Sequence, residues 1–379
     1  MPPPHPTRRT ALLAAASIGL GAALPLAGAG PASAAPRPFG PYGSPARRLG
    51  PRTRYVDPYG RGDHTTVSAA VGATTGDGWT LVLAPATYRE TVTVPADRTG
   101  LTFLGASSDP RDTVIVYDNA AGTLKPDGTP YGTGGSATTL VQADGFTARR
   151  ITFANDWLRA EHPDITSGTQ AVAIRVLGDR GAFHGCRFLG HQDTLYADTR
   201  SLGVTSRQYY THCHIEGDVD FVFGRATAVF DHCRFHTLDR DVGFTPYGFV
   251  FAPSTARTTA LGYLATRCRV TSAAPDRAYK LARPWVPSSD PAAHPSLVVR
   301  DTWLGPGVDA GAPYANMRNA HPWQDQRFAE YRNTGPGARV TVPAERPQLT
   351  AEAARAHTRD TYLGDWAPAP TGRLRPAGG

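Results

Sequence analysis

Three short polar clusters carry the chemistry legible in this sequence. Gln170 lies in TQAVAIRV, Gln192 and Asp193 lie in GHQDTLYA, and Asp220 lies in GDVDFVFG. A fourth segment, KLARPW at 280–285, brings Arg283 and Trp285. Two carboxylates held close together cannot both ionise freely, so one pKa rises. An arginine beside one of them keeps that one charged and leaves the other to carry a proton. Glutamine amides supply N–H donors to a developing oxyanion. An Asp nucleophile, an Asp acid/base and Gln donors make an acyl-transfer site that requires no Ser, Cys, metal or other cofactor. The Gly-x-Ser-x-Gly elbow of α/β-hydrolases is absent. Residue types alone leave a plainer reading open, with the aspartates capping turns and the glutamines forming a side-chain ladder.

The elements that would position these groups recur along the chain. The segments at 146–153, 183–190, 210–217, 230–237, 263–270 and 297–305 are short runs of alternating apolar and polar residues. Alternation marks strands, and recurrence at a few tens of residues marks a solenoid. No helical crossovers intervene. The pattern predicts an all-β chain, a right-handed parallel β-helix with short capping helices. A β-sandwich is the competing fold, but the strand segments lack Asn-Gly hairpin turns. Gln170 and Gln192 are 22 residues apart, and Asp193 and Asp220 are 27 apart. These steps are about one coil each, so the four side chains can stack on one outer face. At one end, 63–73 puts Val67, Ala70 and Val71 on one helical face. Near the other, 349–363 reads as a helix with Thr350 as N-cap and Glu352 in its first turn.

Composition agrees with many short elements. The 379 residues include 40 Gly and 34 Pro, which argues against helical bundles. The net charge is +7, and Lys125 and Lys280 are the only lysines. A basic surface suits an acidic partner, but no nucleic-acid motif or basic run accompanies it. Residues 1–34 read as an export signal: Arg8-Arg9, an apolar stretch over 11–29, and the small-residue site Ala32-Ser33-Ala34. The paired arginines look like a twin-arginine signal, with an ordinary secretory signal as the alternative. Residues 35–53 read as a flexible lead-in, 54–366 as the catalytic domain, and 367–379 as a tail. The expectation is a secreted protein, monomeric, with no membrane and no nucleic-acid partner. Cys186, Cys213, Cys233 and Cys268 occupy equivalent points of successive coils. They form either a ladder of free, inward-facing thiols or disulfides of unknown pairing. Alternation sends Cys213 one way and His212 and His214 the other, which disfavours a zinc site.

The set QAVAIRV, GHQDTLYA, GDVDFVFG and LARPW resembles the signature blocks of pectin methylesterases, carbohydrate esterase family 8. GDHTTVSAAV, LAPATYRETVTVP, FTARRITFAND, RFAEYRNTGPGA and RPQLTAEAA extend the likeness over about 54–366, in family order. The resemblance implies a right-handed parallel β-helix of bacterial type that hydrolyses galacturonate methyl esters in pectin, releasing methanol. By the same resemblance Asp220 is the nucleophile and Asp193 the acid/base. Gln170 and Gln192 stabilise the tetrahedral intermediate, and Arg283 holds Asp220 charged. Trp285, Tyr196 and Phe223 line the sugar groove, and Thr138 matches a substrate-contact threonine.

Some positions depart from the family pattern. Ala282 stands where Gly is usual, Asp218 where small or hydroxyl residues are common, and His191 where aromatic or small ones are. The segment 201–206 lengthens a loop. Other readings remain: a pectate lyase, which needs a calcium-binding carboxylate cluster, or a polygalacturonase, which needs acids placed about a glycosidic bond. An esterase or thioesterase for another substrate is a further one, as is a non-catalytic carbohydrate-binding protein.

Overall fold

The computed structural model describes residues 50–368. The export segment and most of the lead-in and tail lie outside the described residues. Among the described residues, twenty-five strands fall into three sheets of ten, seven and eight, and every ladder between them is parallel. Neighbours in each sheet are strands of successive coils, so the chain winds as a parallel β-helix. The antiparallel sandwich is thereby excluded.

Each recurring segment proves to be two strands with a corner between them. Gly181–His184 belongs to the ten-stranded sheet and Arg187–Leu189 to the eight-stranded one. The corner residue adopts the left-handed conformation: φ is 55° at Arg150, 60° at Gly185, 53° at His212 and His232, 55° at Arg267, 49° at Asp301 and 52° at Arg332. All but Gly185 are non-glycine residues, so each of those six corners carries local strain, about 1–2 kcal/mol by residue type. Stacking seven such corners in one line over-determines the conformation. His212 and Cys213 therefore lie in a corner between strands, and not within one strand as simple alternation would have them. The thiol still turns inward and the imidazole outward.

The residue after each corner forms an inner ladder: Ile151, Cys186, Cys213, Cys233, Cys268, Thr302, Asn333. The corner amides donate to strand carbonyls of the next coil, as His212 N–H does to Asp231 O at 3.1 Å, and in the later coils the amides of this ladder donate to side chains of the next coil. The Cys233 N–H donates to Cys268 Sγ at 3.4 Å, the Cys268 N–H to Thr302 Oγ1 at 3.1 Å, and the Thr302 N–H to Asn333 Oδ1 at 3.1 Å. All four cysteines are free and buried. Titration with a thiol reagent should find no reactive cysteine in the native protein and four after denaturation without reductant. Fewer than four in the denatured chain would mean a disulfide and refute the free ladder.

Aromatic rings fill the core beside this ladder. Phe103, Phe146, Phe183, Tyr210 and Phe230 follow one another at centroid spacings of 5.1, 5.8, 4.8 and 4.9 Å. Such pairs add about 0.5–1.5 kcal/mol each beyond their burial. The helix Val67–Ala73, N-capped by Thr66, buries Val67, Ala70 and Val71 against the first coils, as its apolar face predicts. The expected C-terminal helix is broken in two, a 3₁₀ turn Ala353–Ala356 and the helix Arg359–Leu363. His357 leaves the helical region with φ −105° and ψ 70°, and Thr358 caps the second piece. Thr350 still accepts the Ala353 N–H at 3.1 Å.

Candidate active site

The seven-stranded sheet carries the polar clusters. Its strands Leu195–Ala197 and Val222–Gly224 pair in register, Leu195 with Val222 and Tyr196 with Phe223. Asp193 and Asp220 each stand two residues before this pair, at equivalent points of adjacent coils. The Asp193 N–H donates to the Val219 carbonyl at 3.0 Å, which fixes that stacking. Both aspartates have positive φ, 66° and 51°. Strained backbone of this kind concentrates at functional sites. Neighbouring groups hold it. The Thr194 hydroxyl donates to Glu216 O at 2.9 Å and His191 O at 3.2 Å, and the Val219 N–H donates to Asp218 Oδ1 at 2.6 Å. Two glycines permit the close approach of coils. A Cβ on Gly217 would lie 2.5 Å from His191 O of the neighbouring coil, and one on Gly224, where φ is 122°, 2.1 Å from Ala197 O.

A cleft of about 220 Å³ opens over these residues. Its lining includes Gln170, Gln192, Asp193, Asp220, Arg283, Phe223 and Trp285. Arg283, 63 residues from Asp220 in sequence, grips its carboxylate with two parallel bonds, Nε to Oδ1 at 2.8 Å and Nη2 to Oδ2 at 2.7 Å. Its guanidinium also stacks on Phe249, 4.1 Å from the ring centroid. The methyl of Ala282 points into the core and leaves Arg283 in place. Burial pushes the Asp193 carboxyl well above the usual range, and the charge of Asp220 pushes it further. Burial also raises Asp220, but Arg283's hydrogen bonds and charge work against the rise. Asp193 is therefore the better proton carrier of the two and Asp220 the better anion. Asp218 is a third buried carboxylate nearby. Burial pushes it up, but His191 Nδ1 at 3.3 Å and Arg240 outweigh that and hold it below the usual range.

The aromatic side of the cleft runs along the sheet. Tyr196 and Phe223 stack at 4.1 Å, and Trp285 tilts against them at 6.0 and 5.6 Å. Phe223 and Trp285 line the cleft, whereas Tyr196, buried like Phe223 and stacked on it, is not among the lining residues. Arg175 and Arg225 brace this strip. They share the buried Asp198 at 2.9 and 3.2 Å and lie over the Tyr196 and Trp285 rings. Thr138 does not join the cleft: it is fully buried at 0% exposure, immediately before strand Thr139–Val141. Thr133, Ala252 and Met317 line the cleft and escaped sequence reasoning. Ala252 was within reach, because it pairs in register with Phe223. Thr133 sits in the one-turn helix Gly132–Gly135 and Met317 in an irregular segment, and neither has a periodic signal in the sequence.

A parallel β-helix with adjacent carboxylates, amides and an aromatic wall in one outer cleft is the architecture of a polysaccharide-processing enzyme. The pectinesterase family model matches residues 54–365. Pectinesterase 31 of Arabidopsis thaliana is 34% identical, covering 78% of this chain and 87% of its own. Pectinesterase A of Dickeya dadantii is 33% identical over 80% and 92%. A crystal structure of pectin methylesterase in complex with a hexasaccharide superposes with a TM-score of 0.74 at 30% identity, covering 83% of this chain and 98% of that one. The carrot pectin methylesterase gives 0.70 at 28% identity, over 83% and 93%. This chain belongs to the pectinesterase family and is a carboxylic ester hydrolase that demethylates pectin. Among the described residues no helix is long and apolar enough to cross a membrane.

Proposed function

We propose that Asp220 attacks the methyl-ester carbonyl carbon of a galacturonate unit in homogalacturonan. The carbonyl oxygen becomes an oxyanion, which the Gln170 and Gln192 side-chain amides stabilise by N–H donation. The C–O bond to the methoxy group then breaks as Asp193 gives it a proton, and methanol leaves. Asp193, now ionised, takes a proton from water. The resulting hydroxide attacks the acyl-aspartate, and cleavage restores Asp220 as carboxylate and Asp193 as acid. Arg283 keeps Asp220 anionic and aimed at the ester. Trp285 and Phe223 stack on sugar rings, with Tyr196 supporting Phe223. The observation that carries the reading is the buried Asp220, gripped by Arg283 through two hydrogen bonds, one coil from the equally buried Asp193.

Twin-arginine export to the cell exterior, through residues 1–34, and a monomeric state belong to the same proposal. The described residues offer no gathering of three His, Cys, Asp or Glu side chains of the kind a calcium-dependent lyase needs.

Methylated pectin should yield methanol without new reducing ends. Methanol release should follow a bell in pH. The acid limb falls as Asp220, raised by burial, becomes protonated. The alkaline limb falls as Asp193 loses the proton that its burial retains. New reducing ends without methanol would sink the esterase mechanism, and a rate that rises steadily into alkali would sink the role of Asp193.

A further inference from the structure

Gln192 makes contacts that fix which edge of its amide meets the cleft. The Thr169 hydroxyl lies 2.9 Å from Gln192 Oε1, and Arg159 Nη2 lies 3.4 Å from the same oxygen. Arg159 Nη2 also reaches Thr169 Oγ1 at 3.3 Å. A guanidinium only donates. Thr169 therefore accepts from Arg159 and passes its own proton toward Gln192, and the atom that receives both must be the carbonyl oxygen. The amide NH2 is left on the other edge, where Gln192 lines the cleft beside Asp193 and Asp220.

The brace is built from a separate part of the chain. Arg159 opens a 3₁₀ turn, Arg159–Glu161, in the loop that follows Trp157. Trp157 is buried with Ala120 and Ala171 and stacks on His162 at 5.4 Å with the rings 9° from parallel. This anchors both ends of the turn. Thr169 immediately precedes Gln170. One short segment thus touches both glutamines, one by hydrogen bond and one through the backbone. The Arg159 cation also draws electron density toward Gln192 Oε1, which strengthens the amide N–H groups as donors.

We propose that Arg159 and Thr169 are positioning residues, locking the Gln192 amide with its N–H edge toward the reacting ester and polarising it as an oxyanion donor. This rests on the role of Gln192 proposed above. Without the brace the amide can turn over and present its carbonyl oxygen, which repels an oxyanion. The ground-state ester carries no full charge on that oxygen, so the loss falls on kcat and not on KM.

A double-mutant cycle between Thr169 and Gln192 tests it, read as methanol release from methylated pectin. Gln192→Ala should lower kcat about 100-fold, the scale of one lost oxyanion donor. Thr169→Val and Arg159→Ala should each lower kcat about tenfold with KM within about twofold, on the scale that small misplacements of catalytic groups produce. Thr169→Ser keeps the hydroxyl and should retain most activity, and Arg159→Lys should recover part of the Arg159→Ala loss. In the Gln192→Ala background Thr169→Val should cost nothing further. Equal cost in both backgrounds would mean Thr169 acts on general structure, and the positioning role would be wrong. Full activity in Gln192→Ala would instead overturn the oxyanion role itself and the brace with it.

Discussion

Asp220→Asn should reduce methanol release at least about a thousandfold while methylated pectin still binds. Removal of a nucleophile leaves only what binding and oxyanion stabilisation supply. Asn has the shape of Asp and fits the same strained turn, where φ is 51°. It lacks the anionic oxygen that attacks carbon. It also offers Arg283 one acceptor where the carboxylate offers two, at 2.8 and 2.7 Å. Sugar contacts through Trp285 and Phe223 are untouched, so equilibrium binding of pectin should change little. Initial-rate methanol assays and binding isotherms on the same preparation check both halves. Full activity in the variant would remove Asp220 as nucleophile, and loss of binding alongside activity would point to a collapsed cleft.

Arg346→Met should destabilise the C-terminal end of the β-helix by about 3–5 kcal/mol, the cost of stranding one member of a buried ion pair. Arg346 and Glu330 have side-chain exposures of 0% and 1%. Arg346 Nη2 lies 2.5 Å from Glu330 Oε2, and Nε lies 3.0 Å from Oε1. Arg346 Nη1 also donates to Gly337 O at 2.6 Å, while Tyr314 and Asn333 donate to Glu330. The pair straps the segment after residue 336 across the last strand, Arg327–Tyr331. Without the guanidinium, the Glu330 carboxylate loses its counter-charge inside the fold. A double replacement, Glu330→Leu with Arg346→Met, should recover much of the loss, because desolvation of both charges is then avoided. Solenoids open from their ends, so hydrogen exchange over 327–363 is the proper measure, beside thermal melting. Unchanged exchange in Arg346→Met would refute the strap.

The repeating strands were legible because alternation is a local property. So were the four polar side chains at one-coil steps, and the resemblance blocks gave them roles. The apolar face of 63–73 likewise announced its helix. The corners were not legible. His212 and its equivalents look like strand residues, and only stacking against neighbouring coils holds them at positive φ. Thr138 looked like a contact residue from its offset, but it is fully buried and does not line the cleft. Thr133 reaches the cleft from a one-turn helix and Met317 from an irregular loop, and no periodicity encodes the path of either.

Sequence by itself determined the class of fold, the equivalent placing of the four cysteines on successive coils and the candidate aspartates, amides, arginine and tryptophan. Tertiary structure decided how the aspartates differ. Their protonation depends on burial and on which one meets Arg283, a residue 63 positions away from Asp220. It also decided which edge of Gln192 faces the cleft. Hydrophobic alternation acts between near neighbours, whereas desolvation and hydrogen-bond direction arise only when distant coils are stacked in register.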